Sequence, residues 1–140
     1  MHAATSHFAD IERKAGLHAI TDLYTVEGGV VTGLNFVSTE QFRKANPITY
    51  EAVVAAFDEA VAWINADKVR AAQFYLDISK EKMSLEDLKQ IMLAPDYIFG
   101  QTPHRIGAAM EMMHKAGILK SKPASWKEMY FPEAHRLPGN

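Results

Sequence analysis

The chain has 140 residues, 48% hydrophobic and 23% charged, with a formal net charge of −2 and no cysteine. That is enough apolar content for one domain with a core, and it excludes a disordered chain, disulfides, thiolate metal sites and a cysteine nucleophile. It leaves no basic footprint for nucleic acid or for an anionic membrane surface.

The first eight residues, Met1 to Phe8, lack the basic stretch followed by an apolar stretch that marks a secretory signal, so the chain as written is expected in the cytoplasm. No segment is long and apolar enough to span a bilayer. Residues 1–37 are rich in glycine, threonine and β-branched residues, and residues after Ser38 read as successive helices. Residues 17–21 are a short strand candidate. Gly28 and Gly29 mark a turn or a point of close backbone approach. Residues 30–37 are apolar, β-branched and nearly continuous, which predicts a strand buried on both faces. Two strands do not make a stable sheet alone, so partners for this pair are expected but not visible in the sequence.

The helix signals are sharper. Residues 38–41 have capping-box spacing and open a short helix that stops at Asn46 and Pro47. Asn46 is then placed to cap a second helix with Pro47 in its first position, and Tyr50, Val53, Val54, Phe57, Val61 and Ile64 form its apolar stripe. Asp67 caps a third helix, with Val69, Ala72, Tyr75 and Leu76 facing inward. Ser84 starts a fourth, with Leu85, Leu88, Ile91 and Met92 inward. Thr102 and Pro103 start a fifth, through Ile106, Met110 and Met113. Gly117 ends it with Ile118 as the hydrophobic contact of a left-handed cap. Ser125 and Trp126 begin a last short helix.

Catalytic signatures are missing. The six histidines form neither an HxH pair nor an i, i+4 helical pair, and none has a zinc spacing. There is no G-x-S-x-G elbow for a serine hydrolase. The glycines at 28, 29 and 33 lack the Gly-Lys-Ser/Thr ending of a phosphate loop and precede a strand rather than a helix. Asp58 with Glu59 and Glu86 with Asp87 read as solvated helix faces, and Met110 with Met113 as core. From the residues alone, the chain is a helical layer on a buried strand pair, with no enzyme activity and no cofactor expected.

The run 36–50 contains Phe42, Arg43, Asn46, Pro47 and Tyr50. It resembles the strand-then-helix passage, of the form KFR-x-x-NP-x-x-Y, of the solute-binding proteins of nitrate, sulfonate and taurine ABC importers. Ala55 to Ala60, Trp63 with Ile64, and Ala71 with Ala72 continue the likeness. Upstream, residues 6–8 resemble the strand returning from the second lobe, and Thr21, Asp22, Gly28 and Gly29 a cleft-side loop. Downstream, residues 110–119 and 127–130 resemble the closing helices. The likeness covers nearly the whole chain.

The resemblance implies a helix-rich α/β chain. It would be a single domain over residues 1–140, the C-terminal part of lobe one of a type II periplasmic binding protein. Two or so strands in residues 1–37 would precede about five helices in residues 38–140. The implied function is the substrate-binding component of an importer for a small anionic or sulfonate-like solute, periplasmic, present as a truncated chain. The implied partners are the solute and the importer permease, with no nucleic acid. The implied ligand-binding residues are Phe8, packing on a ligand near the hinge, Asp22, accepting from a ligand amine, Tyr24, and Gly28 and Gly29, admitting close backbone approach; no metal is implied. The alternative is a stand-alone helical interaction module, forming a homo-oligomer through an open sheet edge.

Overall fold

The computed structural model describes residues 7–95 and 97–140 and contains seven α-helices and two 3-10 helices among them. The helices are α1 (His7–Lys14), α2 (Leu23–Glu27), α3 (Glu40–Ala45), α4 (Pro47–Ala66), α5 (Lys68–Ser79), α6 (Leu85–Leu93) and α7 (Ile106–Lys115). The 3-10 helices are Trp126–Met129 and Pro132–Arg136. The chain divides into two compact units. One comprises Met1–Ile20 and Pro47–Phe99, the other Thr21–Asn46 and Gly100–Asn140.

The expected strands are absent: no strand occurs among the described residues. The α/β class with two N-terminal strands is therefore corrected to an all-helical architecture. Residues 17–22 are irregular and exposed, and residues 30–39 run without a ladder. The physical reason is partnership. A strand is stabilised by the chain beside it, and among the described residues neither 17–21 nor 30–37 is paired in a ladder. Point contacts hold part of the second segment instead. Thr32 N–H donates to His104 O at 3.1 Å, His104 N–H donates to Thr32 Oγ1 at 2.8 Å, and Tyr130 O–H donates to Asn35 Oδ1 at 2.6 Å. Of the stretch expected to return from a second lobe, Ser6 lies outside the described residues, while His7 and Phe8 open α1. With no strand, the open sheet edge expected to drive self-association is also missing among the described residues.

The first unit is built on α5 and α6. Ala71 and Ala72 are buried on α5, and Leu88, Ile91 and Met92 on α6. Small residues on one helix let the long side chains of the other seat closely. Trp63, Ile64, Leu76, Met83, Leu85 and Phe99 close around this core. The inward face of α6 matches its sequence pattern. On α5 Ala71 and Ala72 are buried and Leu76 is half-buried beside them, while Val69 and Tyr75 are about two-fifths exposed, contrary to the expected stripe. None of the 20 residues of α4 is buried; of its expected stripe, Ile64 packs on this core beside Trp63, and Tyr50, Val54 and Val61 are half-buried. Phe74 meets Trp63 edge-on at 5.5 Å, and Arg70 lies over the same indole at 4.7 Å.

Caps set the helix starts. Asp67 Oδ1 accepts from Arg70 N–H at 2.9 Å, and Ser84 Oγ accepts from Asp87 N–H at 3.1 Å. Thr39 Oγ1 accepts from Phe42 N–H at 3.0 Å, so the short helix is capped by Thr39. Asn46 turns its amide back to donate to Phe42 O at 3.2 Å, which finishes α3, and Pro47 opens α4.

In the second unit Met110 and Pro103 are buried. The last helix of the sequence reading exists as a 3-10 turn. Ser125 and Glu128 form its capping box, and Glu128 Oε1 accepts from the N–H of Ala124 and Ser125 at 2.8 and 3.2 Å. The fifth helix begins at Ile106, three residues later than Pro103. Its C-terminus matches the pattern in backbone: Gly117 is left-handed at φ 73°, and Ile118 N–H donates to Met113 O at 2.9 Å. Ile118 itself remains two-thirds exposed, so the hydrophobic half of that cap is thin.

Candidate functional site

Four of the five candidate ligand residues lie on or beside α2. Asp22 is its N-cap: Oδ1 accepts from Thr25 N–H at 2.9 Å and Oδ2 from Thr25 O–H at 2.7 Å. Both carboxylate oxygens are thus engaged locally, which fixes the side chain against the helix start. Tyr24 supplies the carbonyl at the other end, accepting from the N–H of Gly28 and of Gly29, the latter at 2.8 Å. Gly28 has φ 73° and Gly29 φ 151°, both in the positive range that disfavours side chains. A Cβ at either would meet nothing within 4 Å, so glycine serves backbone conformation there, and the space above it is open. Phe8 lies on α1 in the first unit, 55% exposed.

The sequence reading missed the residues next to α2. Glu27 Oε2 stands 3.9 Å from Arg105 Nε, too long for a hydrogen bond but within ion-pair range. Arg105 Nε is buried without a hydrogen-bond partner. Arg105 also adopts a left-handed backbone at φ 57°, uncommon for a side chain-bearing residue. It is the N-cap of α7 and supplies no side-chain cap of its own. Asn140 caps the helix in its place: Oδ1 accepts from Arg105 N–H at 2.6 Å, and its backbone oxygen from the N–H of Ile106 and Gly107 at 2.8 and 3.4 Å. No local sequence signal announces a cap from 35 residues away.

Within the same unit Arg43 donates through Nε and Nη2 to Glu133 Oε1 at 3.1 and 2.6 Å and stacks on Phe131 at 5.3 Å. The Arg43 hydrogen bonds hold the Glu133 carboxyl below the usual glutamate range. Burial raises the Tyr130 phenol above its usual value.

Two of the histidines bond to backbone carbonyls. His114 Nδ1 lies 3.0 Å from Leu119 O, and His135 Nε2 lies 2.9 and 3.0 Å from the carbonyls of Lys127 and Tyr130. A carbonyl only accepts, so these ring nitrogens carry the protons. His2 lies outside the described residues. Among the described residues no group of three or more His, Cys, Asp or Glu side chains is placed to hold a metal, and no helix is long and apolar enough to cross a membrane.

A cleft of about 190 Å³ in the first unit is lined by Ile11, Lys14, Lys82, Met83, Ser84 and Asp87, among others, and by none of the five candidate residues. Comparison of the chain with protein-family models, curated proteins and solved structures returns no match.

Proposed function

We propose that the chain carries part of the substrate-binding component of an ABC-type importer for a small anionic or sulfonate-like solute, acting in the periplasm with the importer permease as partner. The observation that carries this reading is the ordered run 36–50, with Phe42, Arg43, Asn46, Pro47 and Tyr50 in family order. The helical half of that run has a counterpart in α3, which stops at Asn46, and in α4, which Pro47 opens; its strand half has none among the described residues. A second support is exposed apolar chain. Leu34, Phe36 and Val37 are 92%, 69% and 81% exposed, a surface that the body of a larger receptor would cover. On this reading Asp22, Tyr24, Gly28 and Gly29 form one edge of the solute site; catalysis has no part in it.

The test is to fractionate the native cells and detect the product with an antibody to this chain. A periplasmic band clearly larger than 15.6 kDa supports the receptor, and that product then goes into binding assays against small sulfonates and other small anions. A cytoplasmic band at 15.6 kDa overturns it.

The second reading is a helical interaction module that self-associates. One observation favours it: α4 spans 20 residues without burying any, and exposes Ile48, Val53 and Phe57. Light scattering over a concentration series separates the two, because a mass that stays at one chain removes the module.

A further inference from the structure

We draw no further inference here: the strongest candidate, the cleft between α1 and the start of α6 lined by Lys14, Lys82, Ser84 and Asp87, is a helix N-terminus whose Lys14 is already paired with Asp87, and no second feature of the structure points to a ligand for it.

Discussion

Asn140 Oδ1 accepts a 2.6 Å hydrogen bond from the backbone N–H of Arg105, so the start of α7 is capped by a residue 35 positions away in sequence. The first N–H groups of a helix have no partner inside it, and one supplied from outside stabilises the helix and also ties the two segments together. Asn140 N–H donates in turn to Pro103 O at 3.2 Å, which closes the tie from both sides.

Asn140→Ala should therefore destabilise the second unit by about 1 kcal/mol, the usual cost of losing an N-cap acceptor. Asn140→Asp keeps the acceptor and adds negative charge at a helix N-terminus, and should match or exceed the parent. Trp126, one of only two tryptophans, lies in this unit and reports it in urea unfolding. Faster hydrogen exchange at the Arg105 amide in Asn140→Ala is the local check. Equal exchange in the two proteins would show that the cap contributes nothing.

What the sequence made legible was local. The caps of Asp67 and Ser84 were readable because each acceptor and its N–H lie three residues apart, whereas the capping-box spacing of residues 38–41 pointed to Ser38, one residue before the actual cap Thr39. Leu88, Ile91 and Met92 were readable because one side of α6 holds all of them. The strands were misread because β-branched composition describes a segment, whereas a ladder needs a neighbour. On α5, Val69 and Tyr75 have the larger side chains, yet the face packed on α6 is that of the alanines. Asp22 and the two glycines flank the same short helix, α2, so they lie near one another in sequence. Arg105 and Asn140 join only through tertiary contacts and were not legible there.

Ala72 is fully buried on the face where α5 packs on α6. Ala72→Leu adds three carbon atoms where no space exists and should cost about 1–3 kcal/mol. Ala60→Leu, at an exposed position of α4, should stay within about 0.5 kcal/mol of the parent. Trp63 packs against this core, and its fluorescence follows the unfolding midpoint. Equal midpoints for the two variants would place the packing surface elsewhere.

Lys80 ends α5 in the left-handed conformation, φ 58° and ψ 25°, with its N–H donating to Leu76 O at 3.3 Å. A Cβ costs roughly 1–2 kcal/mol in that conformation. Glycine relieves the strain but adds roughly 0.4–1 kcal/mol of unfolded-state freedom to be lost on folding. Lys80→Gly should therefore raise stability by a net of up to about 1.6 kcal/mol. Lys80→Ala keeps the Cβ and should bring no comparable gain, which separates backbone strain from loss of the charge. A gain from alanine as large as that from glycine would assign the effect to the lysine side chain.

Glu133 provides the pH test. Its carboxyl is held below the usual glutamate range by the Arg43 hydrogen bonds, so the folded state binds the proton less readily than the unfolded chain. The stability it contributes is complete above the unfolded value, near pH ~4.3, and is lost as pH falls through the lower folded value. Glu40, Asp87 and Glu111 are lowered in the same direction, each first by a lysine hydrogen bond, so the whole chain should weaken in acid. Comparing the parent with Glu133→Gln isolates the one pair. At pH 7 the parent should have the higher urea midpoint by Trp126 fluorescence, and the gap should close steadily toward pH 3. Added salt should narrow the pH 7 gap, because both partners are partly exposed. A gap of constant width from pH 7 to pH 3 would mean that the glutamine disturbs packing on Phe131 and that the ion pair is not the source of the difference.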